Sequence, residues 1–355
     1  MIERLVEPLM AARSTDDAAR LDLRHAREII KDLFRHDASI YWADFLVSLS
    51  IAYGAVALYL TSPWFSPLFV VAFAVAALAL FRCGVFIHEI AHMPGDRLRC
   101  FRAAWNILFA IPTLTPSFTY QSHAEHHNPR HFGTAKDGEY VALGTPPARK
   151  LVLYLLIVPL LPALAIFRFL LLTPVSYLHP RLRRLVLERA SSFVINPSYR
   201  RVLSSDERRP AWWTIALEVA IFLELAVFSG LVASGRLDWT VAAQLYILGM
   251  CSAGLNWVRT LAAHRYRNTG APMSFEEQIE DSITIDGQPL ITGLLFPVGL
   301  RYHALHHWFP ALPYHSLGRA HRRLMARLPA GSPYRRTVRP GFLRAARDLW
   351  RGATA

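Results

Sequence analysis

Lysine is nearly absent from this 355-residue chain: Lys31, Lys136 and Lys150 are the whole set, and arginine supplies the rest of the 39 basic side chains. Cysteine is equally scarce. Cys83, Cys100 and Cys251 are odd in number and show no paired spacing, which excludes a disulfide framework; Cys83 and Cys251 sit in apolar runs and read as small buried hydrophobes. Charge is thin as well. Only 18% of residues are charged against 53% hydrophobic, with a mean hydropathy of +0.24, which is too apolar for an ordinary soluble domain of this length. No secretory leader is expected, because residues 1–36 are charged and the first apolar run begins near Asp44. Neither a repeat, a low-complexity tract nor a nucleic-acid motif is found. The formal net charge of +13 is compatible with nucleic acid, an acidic protein or an anionic membrane surface; the apolar runs favour the membrane. Arginine in place of lysine, with abundant alanine, suggests a GC-rich bacterial source.

Histidine is what the chain has in excess. It occupies 15 positions, and nine of these fall in three boxes and one single site: His88-x3-His92, His123-x2-His126-His127, His264 alone, and His303-x2-His306-His307. Residues i and i+4 of a helix are about 40° and 6 Å apart, so His88 and His92 share a face; the rings of H-x-x-H-H fall within an arc of about 100°. At this histidine content chance yields about 0.03 copies of H-x-x-H-H, and the chain has two. One metal takes roughly four ligands as tetrahedral zinc and about six when octahedral, so the nine imidazoles exceed one site and fit two.

The expected fold is all-α and polytopic, with four transmembrane helices and a cytosolic histidine-rich helical cap. Residues 20–36 form an amphipathic helix, with Leu23, Ala26, Ile30, Leu33 and Phe34 in one stripe, lying on the membrane or on the protein's own cap. The apolar runs 45–60 and 68–87 make a hairpin that brings His88 to the side where the chain began. Residues 101–118, broken by Pro112 and Pro116, read as half-buried, and 128–149 as a loop. Three runs follow, 151–172, 212–233 and 240–257. An even number of crossings must separate His127 from His264 if all nine rings are to meet, so 151–172, with Pro159, Pro162 and Arg168, is read as re-entrant or interfacial. The arginines of 173–210, among them Arg181, Arg183, Arg184, Arg200, Arg201, Arg208 and Arg209, then stay cytoplasmic. Residues 316–328 and 341–350 read as surface helices. The chain is taken as one domain over 1–355, with an N-terminal segment 1–40, a core 45–325 and a basic tail 326–355.

Imidazole suits zinc, iron, copper and nickel, and the residues alone leave that choice open. The box order, with a lone histidine before the last box and the strings His123-Ala-Glu-His-His and Tyr302-His-Ala-Leu-His-His-Trp-Phe-Pro, resembles the integral-membrane fatty acid desaturases, in particular their bacterial members, over about residues 45–325. The resemblance implies a non-haem di-iron site with His88, His92, His123, His126, His127, His264, His303, His306 and His307 as ligands. It also implies O2 as co-substrate, a lipid acyl chain as substrate, and two electrons from a separate carrier such as ferredoxin. A fused haem domain is not expected, as His-Pro-Gly-Gly is missing. Fatty acid desaturation is the first expectation, and hydroxylation within the same superfamily is the alternative. Glu89 and Glu125 are candidates for orienting the ligating rings. Thr260 stands where animal stearoyl-CoA relatives carry an asparagine. The expected location is the bacterial inner membrane, with the termini and the boxes cytoplasmic.

A reading of another class uses the same residues. His88-Glu89-x-x-His92 is an H-E-x-x-H string after an apolar run, as in an intramembrane zinc protease with Glu89 as general base. It leaves about six clustered histidines without a task.

Overall fold

The computed structural model describes residue 17 and residues 19–93, 97–141, 148–196, 199–203 and 211–354; Arg208 and Arg209 lie outside them. The described chain is mostly helical, with almost no strand, and divides into two compact units, each assembled from separated stretches of sequence. One unit draws on Ala38–Ala124 and Val152–Val258, the other on Met1–Asp37, Glu125–Leu151 and Arg259–Ala355.

The first unit holds the apolar helices. Ala38–Thr61 and Pro67–His92 pack as a hairpin. Ser66 caps the second helix, its Oγ accepting from the Phe69 N–H at 3.2 Å, and Pro67 fits the first turn, where no N–H partner is needed. Phe45, Phe86 and Phe101 meet edge to face between them. The Arg82 guanidinium reaches both Asp44 oxygens at 2.6 and 2.7 Å, which neutralises a charge in an apolar setting. The second helix runs on without a break through the first histidine box. Arg99–Trp105 and the π-helical Asn106–Ala110 come next and stay too short to cross a bilayer. Trp105 Nε1–H donates to the Cys83 carbonyl at 2.8 Å. Asn106 bonds back to Ser117 through both its Nδ2 and its Oδ1, so the chain doubles back before the second box.

Among the described residues five helices are long and apolar enough to cross a membrane: the first two, Trp212–Ala233, Trp239–Thr260 and the run Val152–Ser176. The last differs from the weaker expectation for 151–172. It stays helical throughout, absorbing Pro159, Pro162 and Pro174 by alternating α, 3₁₀ and π turns. Its neighbours change in an informative order. Tyr154 stacks on Trp257, near the end of Trp239–Thr260. The Tyr246 hydroxyl donates to the Pro159 carbonyl, and Pro162 approaches Gly249, in the middle of that helix. Arg168 then meets Glu218 and Phe169 meets Leu217, near the start of Trp212–Ala233. Glu218 is fully buried and accepts from Arg168, from Arg183 at 2.6 and 3.0 Å, and from the Tyr177 hydroxyl at 2.8 Å.

The second unit carries most of the histidines. Within it, helix 19–30 turns its apolar stripe inward: Ala26, Ile30 and Leu33 are buried, and Phe34 meets Phe309 edge-on at 5.9 Å. Arg323 pairs with Asp32, so this helix packs on the protein itself. Leu317, Ala320 and Leu324 of helix Tyr314–Arg327 are likewise buried. Residues 265–289 hold the helix Phe275–Asp281, which opens on a Ser274–Glu277 capping box. Thr284–Ile285 then pairs in parallel with Val338–Arg339, the two-stranded sheet of an otherwise helical fold. This strand sets the site. On one side the Ile283 N–H donates to the Ala263 carbonyl at 2.8 Å and Arg265 to Asp281 at 2.7 Å. On the other, Ile285 donates to Arg301 at 2.8 Å. The backbones bearing His264 and His303 are thereby fixed against one segment.

Removing the carboxylate of Glu218 would strand two guanidinium groups in an apolar interior, a loss of about 3–5 kcal/mol. Glu218→Leu is therefore expected to lower the thermal midpoint of the detergent-solubilised protein markedly; an unchanged midpoint would contradict the clasp.

Candidate metal centre

Four histidines converge in the second unit. His126, His264, His303 and His307 each offer a ring nitrogen, and these atoms all lie within 4.8 Å of one another. Nε2 of His264 is 3.2 Å from Nε2 of His126 and 2.9 Å from that of His303, which is 3.0 Å from that of His307. The rings of His264, His303 and His307 cross one another at 80–81°. The helix His303–Trp308 brings His303 and His307 together at i and i+4.

Carboxylates fix which nitrogen faces inward. His126 Nδ1–H donates to Asp137, at 2.9 and 3.0 Å from its two oxygens, which leaves Nε2 a bare lone pair. Asp137 is fully buried and also accepts from the N–H groups of Gly133 and Glu139. Burial acts to lower the pKa of His126, but the Asp137 charge outweighs it and raises the ring above the ordinary histidine value. Burial likewise acts to raise Asp137, and its bonds to His126, Gly133 and Glu139 hold it below the usual carboxylate value. His264 Nδ1 faces Asp281 at 3.4 Å, and Tyr140 O–H donates to the same carboxylate at 3.0 Å. Burial holds His264 below the ordinary value, and burial with the neighbouring rings holds His307 well below it. Both are neutral near pH 7.

This donor set fits a transition metal. With their Nδ1 atoms turned to carboxylates, His126 and His264 present lone pairs to each other at 3.2 Å. That contact is repulsive unless a proton or a metal ion lies between them. Two nitrogens bound at right angles to one metal at about 2.05 Å are about 2.9 Å apart, close to the separations seen. Imidazoles without thiolate suit iron, zinc, copper or nickel.

Two further groups involve the remaining five histidines. In the second unit, His127 Nε2 lies 3.1 Å from His306 Nε2, with the rings at 87°. In the first unit, His88, His92 and His123 have ring centroids 4.7 to 5.2 Å apart, and Tyr120 stacks on His123 at 17°. The boxes are therefore not one site each. His126 and His127 are adjacent in sequence yet serve different groups, as do His306 and His307.

The other expected residues are accounted for. Glu89 is buried and accepts from the Tyr41 hydroxyl at 2.6 Å. Glu125 pairs with His131 at a half-exposed position. The Thr260 carbonyl accepts from the Tyr266 hydroxyl at 2.8 Å, and the Tyr266 ring meets His264 edge-on at 5.6 Å. His315 and His321 bond to Asp37 and Tyr334 as ordinary hydrogen-bonding residues. Asp281 and Tyr120 join the histidines through space alone. Neither stands at a spacing that marks it.

The family model for fatty acid desaturase matches residues 62–338. A ceramide hydroxylase of Caulobacter vibrioides (strain NA1000 / CB15N) is 38% identical over 330 residues, 92% of this chain and 93% of that protein. With histidines at all the box positions and a match over most of its length, the chain belongs to the fatty acid desaturase family.

Proposed function

We propose that the chain is an iron- and O2-dependent lipid hydroxylase acting on a ceramide-type lipid. The observation that carries this reading is its 38% identity to a ceramide hydroxylase across nearly the whole of both chains. The boxes do not separate hydroxylation from desaturation. Both reactions break an unactivated C–H bond; in one, oxygen is added to carbon, and in the other a second hydrogen leaves. The relative shifts the balance from the desaturase expected first to the hydroxylase held as the alternative.

The nine box histidines, His88, His92, His123, His126, His127, His264, His303, His306 and His307, are proposed to hold two irons, one of them on His126, His264, His303 and His307. Iron held by these nitrogens supplies the activation of O2 that an unactivated C–H bond demands. Asp137 and Asp281 keep Nε2 of His126 and His264 turned inward. Tyr41 holds Glu89 away from a general-base role. Glu125 and Thr260 support the ligands at one remove, Thr260 through Tyr266. The balance is lipid C–H, O2, two electrons and two protons to lipid C–OH and water. A separate carrier such as ferredoxin supplies the electrons.

Four crossings suit this chemistry. The neighbours of Val152–Ser176 run from the end of Trp239–Thr260 to its middle and back to the start of Trp212–Ala233, which supports a re-entrant helix with both ends on one side. The links Ser62–Ser66 and Ser234–Asp238 then lie outside and carry only Arg236, while the arginine-rich stretch, the termini and the histidines face the cytoplasm of a bacterial inner membrane. On this reading the two units work as one desaturase-like domain.

Three outcomes are expected. Lipids from cells expressing the chain with a competent electron donor should show ceramide gaining one oxygen by mass spectrometry; loss of two hydrogens instead would return the protein to the desaturases. His303→Ala should lower bound iron from two per chain and abolish turnover, read by elemental analysis beside an oxygen electrode. Asp137→Asn keeps the volume but removes the charge behind His126, and should weaken iron retention or activity about 10–100-fold in a chelator titration. Full retention in either variant would remove these residues from the site.

A further inference from the structure

Helix Trp212–Ala233 carries two carboxyl groups with opposite fates. Glu218 is satisfied by two arginines and a tyrosine. Glu224 is not: its Oε2 is sealed from solvent and has no hydrogen-bond partner among the described residues. The residue as a whole is half-buried, on the stripe of the buried Leu217 and Ile221, which precede it by seven and three positions. It stands twelve residues past Trp212, about 18 Å along the axis, near the middle of a hydrocarbon layer about 30 Å thick. An ionised carboxylate is costly at that depth, which favours the neutral acid, one O–H donor with acceptor capacity to spare.

Its surroundings lie on the membrane side of the first histidine box. Tyr53 is close enough to interact with Glu224 electrostatically, and also with Cys83. The Tyr53 hydroxyl donates to the carbonyl of Leu108, inside the π-helical turn Asn106–Ala110. π-turns leave carbonyls off the regular ladder and are frequent at functional sites. Phe109 of that turn packs against Gly84, where an added Cβ would stand 3.5 Å from its ring. Cys83 precedes His88 by five residues, about 7.5 Å along the axis. Glu224, Tyr53 and the Leu108 carbonyl are thus polar groups set among apolar helices.

We infer that Glu224 is the hydrogen-bonding anchor for the polar portion of the lipid substrate, an amide or hydroxyl group a few bonds from the reacting carbon. This rests on the reading of the substrate as a ceramide-type lipid, whose amide and hydroxyls can both accept from the acid and donate to it, whereas a plain acyl ester can only accept. An aliphatic chain at this place would leave the acid unpaired, and a site built around a hydrogen bond rejects analogues that lack it.

The test is equilibrium binding to the iron-loaded protein in lipid nanodiscs, with ceramide and an O- and N-methylated ceramide of the same chain length as probes. The wild type should bind ceramide about tenfold or more tighter than the methylated analogue. Glu224→Gln, which keeps a donor and an acceptor, should stay within about threefold of wild type, whereas Glu224→Leu should lose about tenfold for ceramide and little for the analogue. Glu224→Leu removes an unpaired polar group and is expected to fold; the analogue series on the wild type tests the anchor even if it does not. Equal affinity for the two lipids in the wild type, or for ceramide in wild type and Glu224→Leu, overturns the proposal. Binding is read without turnover. Glu224-dependent binding with no oxygen inserted would count against the hydroxylase and leave the anchor standing; an active hydroxylase indifferent to Glu224 would do the reverse.

Discussion

Imidazole nitrogens about three ångströms apart, carried by stretches of chain more than a hundred residues distant, are the constraint to which the rest of this structure answers. Lone pairs brought that close repel unless a proton or a metal ion joins them, so the scaffold must supply the force that holds them. It does so in two ways. A short strand pins the backbones of His264 and His303 on either side of it. Buried carboxylates pin the far edges of the rings, Asp137 behind His126 and Asp281 behind His264. Each device fixes a direction, and together they leave the Nε2 atoms only one place to point.

The apolar helices obey a second rule, that polar groups in hydrocarbon find partners inside the protein. Arg82 takes both oxygens of Asp44, and Glu218 takes two guanidinium groups and a phenol. These are what allow charged residues to persist in segments that must otherwise be apolar. The Glu218 clasp also ties the run Val152–Ser176, through Arg168, to the neighbouring helix, while Phe169 and Phe118 pack in the same apolar cluster. Phe118 belongs to the turn Ser117–Tyr120, and Tyr120 stacks on His123. Charge pairing in the apolar layer is thus linked by packing to the placement of a histidine.

What could be read from the sequence follows from what is local. The helix Trp212–Ala233 has the bounds its apolar run implies, because length and apolarity are properties of consecutive residues. The nine histidines stand out because their spacing repeats. The amphipathic stripe of 19–30 is equally plain, but whether it met lipid or protein depended on Phe309 and Arg323, almost three hundred residues away. Asp137 and Asp281 became part of the site only through contacts made in space. The Ser274–Glu277 capping box is local and legible in the sequence, although the helix it opens is only seven residues long and mostly polar. The division of His126 from His127, and of His306 from His307, is likewise tertiary: a one-residue step rotates neighbouring side chains by about 100°, and where each ring finds company depends on which segments fold beside it.

The same distinction bears on the reaction. A box of histidines states that metal and oxygen chemistry are available, since that depends on donor atoms and their spacing. Whether oxygen is added to the carbon or a second hydrogen is removed depends on how the substrate's carbons are held relative to those donors. The residues that hold a lipid are scattered along the apolar helices, where they resemble ordinary packing. Polar side chains are the exception, because hydrocarbon leaves them conspicuous. Glu218 has a structural reason to be where it is, in the arginines that surround it. Glu224, in the same helix and without such company among the described residues, has a reason only if something that enters the protein supplies the missing bond.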